Sequence, residues 1–123
     1  MNDYSNNTIE EINKLAKELH EGIFYEEEIS EILEKISFYN QIGIFKYIKE
    51  YPTVIAQNIN LSFSRYNYLK ENGITINQNN ADDLFLINRH FKEKYNITNE
   101  ELLTKYNYNP FEKKAKVLTI RKN

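Results

Sequence analysis

TVIAQNINLSFSRYNYLKENG, residues Thr53 to Gly73, is the stretch on which the fold turns. It reads as two short helices, 53–58 and 63–71, meeting at Asn60-Leu61-Ser62. Ser62 is a candidate N-cap, because its hydroxyl can accept from a free N–H of the first turn. Asn60 tolerates the left-handed geometry of a tight junction. Gly73 supplies the helix stop.

Working outward, Gly73-Ile74-Thr75-Ile76 reads as extended, since β-branched residues favour strands. Asn80 can cap a helix over 81–95, with Leu84, Phe85, Ile87, Phe91 and Tyr95 as its apolar stripe. Thr98 and Glu101 form a capping box for a further helix, 99–106, that turns Leu102, Leu103 and Tyr106 inward. Asn109-Pro110 breaks it. In the tail, 116–120 has strand propensity and could pair with 74–76 as a short ribbon resting on the helices.

Upstream, Pro52 disfavours helical geometry at Tyr51 and ends a helix over 40–51, in which Gly43 is a weak point. Residues 1–7 are polar and expected to fray. Thr8 and Glu11 make a first capping box. Ile9, Ile12, Leu15, Ala16, Leu19 and Ile23 then follow helical spacing, giving a helix from Ile9 to His20 that stops near Gly22. A second helix spans 25–38, with Ile29, Ile32, Leu33 and Ile36 on one side. The short link predicts an antiparallel hairpin. The expected fold is mostly α: a single helical domain over 1–123 with six to seven helices, the 74–76/116–120 ribbon being an option.

Composition agrees. The chain has 123 residues, 41% hydrophobic and 28% charged, with three Gly and two Pro. That length suits one core, and so few turn residues favour helices over a sandwich or barrel. There are no cysteines, so disulfide and thiolate chemistry are excluded and a cytoplasmic setting is expected. No apolar run is long enough for a membrane span, and the polar N-terminus does not read as a signal peptide. The abundance of Asn, Ile, Lys and Tyr suggests an AT-rich genome, such as that of a low-GC bacterium, its phages or plasmids.

The net charge of −2 hides an asymmetry. Residues 1–36 carry −7, and the remainder +5. Glu10, Glu11, Glu18, Glu27, Glu28, Glu31 and Glu34 are the candidate acidic face, suited to a basic partner or to imitating a phosphate backbone. A solvated helix surface has the same composition.

The 53–73 stretch resembles the general helix-turn-helix pattern, and the trailing Gly73-Ile74-Thr75-Ile76 resembles the start of a wing. The resemblance implies that the second helix faces outward with Ser64, Arg65 and Asn67 on base edges, Lys70 on phosphate and Tyr68 beside them. Two cations are a thin footprint for DNA. A helical corner of the core would show the same pattern.

Nothing in the chain carries catalytic spacing. His20 and His90 stand outside any metal motif, and Asp83 lies about 10 Å along a helix from His90. No metal and no cofactor is expected. The ten Tyr exceed what a small core holds and suit an interface. Together these features lead to an expectation of a non-catalytic binding protein. It would be a small phage- or plasmid-type inhibitor that blocks a larger protein or nucleic-acid-handling complex, as anti-CRISPR proteins do, through an acidic, Tyr-rich surface. The alternatives are a helix-turn-helix DNA-binding regulator and a helical-bundle immunity protein or antitoxin.

Overall fold

The computed structural model describes residues 2–106, with side chains from residue 9 onward. Among these the fold is all-helical: six α-helices, two 3-10 segments and no strand. Residues 74–76 are irregular, which removes one half of the expected ribbon. Its other half, 116–120, and the break at Asn109-Pro110 lie outside the described residues. The chain divides between Ala56 and Gln57 into two compact units.

The first unit opens with α1, Asn2–Glu21, which packs on α2, Ile29–Gln41. This is the expected hairpin. Ile12, Ala16 and Leu19 are buried from α1, and Ile32, Ile36 and Tyr39 from α2. Each large side chain so buried contributes about 1.5–3 kcal/mol. Ile9 was expected in the stripe but is 56% exposed; it lies about 60° around the helix from Ile12, at the stripe's edge. Ile23 is likewise 53% exposed. The helix has ended by then, and Phe24 turns inward instead, its N–H donating to the Leu19 carbonyl at 2.8 Å.

Helix α2 begins four residues later and ends three later than its stripe alone suggested. Gly43 is not a weak point inside a helix but the stop of this one, at φ +86°. The Ile44 N–H donates to the Tyr39 carbonyl and the Gly43 N–H to that of Asn40, both at 3.0 Å. This pair of bonds satisfies two orphan carbonyls and tucks Ile44 fully into the core. Helix α3, Phe45–Glu50, is correspondingly short and ends before Pro52 as expected. Lys35 is also buried. Its ammonium donates to the Ile55 carbonyl at 2.9 Å and pairs with Glu27 at 3.5 Å.

The helix-turn-helix outline is corrected here. Residues 52–56 form a 3-10 turn rather than an α-helix. The supposed junction at Asn60-Leu61-Ser62 lies within α4, Ile59–Glu71. Asn58 provides the cap: its side-chain oxygen accepts from the N–H groups of Asn60 at 2.8 Å and Leu61 at 3.3 Å. Ser62 is therefore internal and buried, and Gln57 donates to its hydroxyl at 2.8 Å. Gly73, at φ +79°, closes α4 with the same two-bond arrangement as Gly43 closes α2.

The second unit continues with a 3-10 turn, Ala81–Phe85, then α5, Asn88–Tyr95, and α6, Asn99–Lys105. A single helix over 81–95 was expected, but Leu86 and Ile87 are extended and split it. Asn80 does not cap: its side chain bonds the Asn77 N–H and the Thr75 carbonyl. The Thr98–Glu101 capping box is present in full. Leu102 is buried, whereas Leu103, expected inward, is 39% exposed.

Candidate functional site

Helix α4 carries every residue of the expected DNA-reading set, and most of that set turns inward. Arg65 is fully buried. Its Nη1 donates to the carbonyls of Leu86 at 2.7 Å and Leu84 at 3.0 Å, and to Gln57 at 3.4 Å; its Nη2 donates to Asn88 at 3.4 Å. The guanidinium lies 4.3 Å from the centre of the Phe91 ring. These contacts explain the break after Phe85: extended backbone there releases two carbonyls from helical bonding and turns them to the guanidinium. Burial lowers the Arg65 pKa to about 10.

Ser64 is buried and donates to the Tyr106 carbonyl at 2.9 Å. Asn67 donates to the Phe63 carbonyl one turn back, and the Tyr68 hydroxyl to the Tyr95 carbonyl. Lys70 alone of the set is exposed. The outward presentation implied by the resemblance is thus corrected: this face of α4 organises the core of the second unit.

A polar cluster accompanies it. Asp83, nearly buried, accepts from Lys94 at 2.9 Å and from the Tyr95 hydroxyl at 2.5 Å. Burial and that hydrogen bond raise the Tyr95 pKa. Asp83 therefore stands with Lys94 and Tyr95 rather than with His90, which is exposed. Among the described residues no group of three or more His, Cys, Asp and Glu could hold a metal ion.

The residues of the expected acidic face lie in the first unit. The chain up to Ala56 holds eleven acidic and five basic residues, net −6; from Gln57 onward it holds seven and eleven, net +4. Along α1, however, the face is mixed. Helix geometry places Lys17, Glu10, Glu21 and Lys14 within an arc of about 60°, and Glu11 pairs with Lys49 at 3.4 Å. Glu18 is exposed. On α2 Glu31 is exposed and Glu34 half-buried. Acid is densest at the α1–α2 connection, where Glu21, Glu26, Glu28 and Glu31 are exposed and Glu27 is held by Lys35.

That connection also holds three exposed apolar side chains: Ile23 at 53%, Tyr25 at 67% and Ile29 at 40%. It is anchored at both ends. Phe24 is buried at one, and the Glu27–Lys35 pair ties down the other. The sequence showed a Phe24-Tyr25 aromatic pair but not that one ring would anchor while the other stayed in solvent. No protein family, curated protein or solved structure matches the chain.

Proposed function

We propose that the protein is a non-catalytic binding protein that occupies a basic, concave surface on a larger protein, with the α1–α2 connection as its contact. The observation that carries this reading is the set Ile23, Tyr25 and Ile29, exposed on one anchored turn and flanked by Glu21, Glu26, Glu28 and Glu31. Exposed apolar groups ringed by charge mark interaction sites more often than bare charge does. Tyr is a strong anchor because its ring buries area at low entropic cost while its hydroxyl stays satisfied. The flanking acids speed encounter with a basic surface and select against acidic ones. An anchored turn has less freedom to lose on binding.

Basic concave surfaces of this kind occur in proteins that hold nucleic acid. Steric blockade of such a channel is how a phage- or plasmid-type inhibitor with anti-CRISPR-like behaviour would act, and neutralising a toxin would need the same surface. The test is capture with the intact protein beside two variants, Tyr25→Ala and the pair Glu28→Lys with Glu31→Lys. All three side chains involved are exposed, so helicity by circular dichroism should be unchanged. A partner retained by the wild type and lost from both variants supports the reading. Identical capture by all three overturns it. Salt-sensitive binding of the wild type to a mixed-sequence DNA duplex, abolished by Lys70→Ala, would favour the DNA regulator instead.

A further inference from the structure

In the second unit a cleft of about 280 Å³ lies between α5 and α6, lined by Asn88, Arg89, Lys92, Thr98, Asn99 and Glu100. Arg89 and Lys92 are three residues apart and so project from one side of α5. Both are exposed, and neither forms a salt bridge to a carboxylate among the described residues.

The wall behind them is fixed in orientation. Arg65 can only donate, so its bond to Asn88 holds the Asn88 side-chain oxygen inward. The Asn88 amide NH2 is then the end turned away from the core. Arg65 itself is a fully buried cation whose side-chain partners among the described residues are carbonyl and amide oxygens and the Phe91 ring, with no carboxylate among them. Its Nε is a buried donor that finds no acceptor among the described residues. A buried charge without a counter-charge is costly, and its field is strongest in the low-dielectric region around it. One amide donor and two cations without a direct salt bridge, Lys92 feeling the nearby Glu101 carboxylate, thus line a cleft backed by a third cation.

We propose that this cleft binds the phosphate group of a small molecule. Arg89 would bind two phosphate oxygens through its planar fork, Lys92 would act as a point charge, and the Asn88 amide would donate a further hydrogen bond. Thr98 contributes shape only, since its hydroxyl and N–H are both engaged with Glu101. Asn99 offers a further amide. Glu100 is the opposing charge and keeps the site weak and selective: an anion must be met by the α5 side. At about 280 Å³ the cleft is near the lower end of small-ligand sites, with room for a phosphate and a modest group attached to it, which favours a small phosphorylated molecule over a polymer.

The test is amide chemical-shift titration of the full chain with inorganic phosphate, then adenosine monophosphate, then a short DNA duplex. Saturable shifts at the α5–α6 cleft with phosphate or the nucleotide are expected. Tighter binding of the nucleotide would identify an organic phosphate as the ligand, and equal binding would identify free phosphate. The double variant Arg89→Ala with Lys92→Ala should weaken either by about tenfold or more. Asn88→Ala should weaken it less, and Glu100→Gln should tighten it. Lys70→Ala, an exposed cation outside the cleft, should leave it unchanged. Absence of saturable shifts, or shifts that survive the double variant, overturns the proposal. So does a duplex that outcompetes both small anions at the same residues, since the cleft would then be part of a nucleic-acid surface.

Discussion

Among the described residues each unit buries one basic side chain, and the two are handled differently. Lys35 in the first unit keeps a route to the surface: it is 8% exposed, bonds one carbonyl and retains the carboxylate of Glu27. Arg65 in the second unit has no exposure and no carboxylate among its hydrogen-bond partners, and spreads its donors over four oxygen acceptors and a ring face. Lys35 fits a core that would form without it, since long basic side chains bury their stems readily. Arg65 is a scaffold: the path of the chain through Leu84 to Asn88 is shaped to its guanidinium. A compact ammonium cannot reach so many acceptors at once.

The sharpest way to break that comparison is to remove both charges while keeping apolar bulk. Arg65→Met takes its donor from the Leu86 carbonyl and leaves the Leu84 carbonyl with Gln57 Nε2 as donor, and is expected to cost about 2–3 kcal/mol. Lys35→Met strands only the Ile55 carbonyl next to a half-solvated pair, and should cost less than about 1.5 kcal/mol. Urea denaturation of the two variants measures the gap. Equal costs would mean that Arg65 is a passenger in its core and not the group around which the segment is arranged.

The glycine closures of α2 and α4 sharpen the comparison from the other side, because they are alike where the buried cations differ. Gly43 and Gly73 have φ of +86° and +79°, and a Cβ added at either meets nothing within 4 Å. The cost of Gly→Ala is therefore conformational alone, about 1–2 kcal/mol at each. Similar losses in urea midpoint are expected for both variants. A much larger loss at one would show that its helix end carries tertiary packing beyond its own two hydrogen bonds.

What the sequence revealed and what it concealed follow the same division between local and distant causes. Pro52, Gly73 and the Thr98–Glu101 box were legible because each acts on its own neighbours. Gly43 was misread since apolar residues on both sides continued a helical stripe across it. The split of 81–95 was not legible, because its cause lies some twenty residues away at Arg65. Arg65 itself was read as solvent-facing because the helix-turn-helix resemblance turns its helix outward. Yet it stands three residues after Ser62 and four before Leu69, on the face that both bury, and that spacing was the available signal. The exposed Ile23 and Tyr25 were hidden because helical phase has no meaning beyond the end of α1. Arg89 and Lys92 went unnoticed because a cleft needs both helices in place.

The smallest expected effect separates the units by how their helices begin. Helix α2 starts at Glu28 without a side-chain cap, whereas α6 starts with a complete box. In that box the Glu101 carboxylate accepts from the Thr98 N–H at 2.9 Å and from its hydroxyl at 3.1 Å. These bonds hold the Glu101 pKa below its ordinary value. A depressed carboxylate pKa means that the ionised form is favoured by folding. Its contribution is complete above the ordinary carboxylate range and is lost as pH falls through the lowered value. Glu101→Gln keeps the size and an acceptor oxygen but cannot titrate. Between neutral pH and about pH 3 the wild type should lose more stability than this variant, by a small margin because the box is solvent-exposed. Thr98→Ala, which removes the cap itself, should cost about 1 kcal/mol at neutral pH. Parallel pH profiles for wild type and Glu101→Gln would mean that the box orders the start of α6 without favouring the ionised carboxylate.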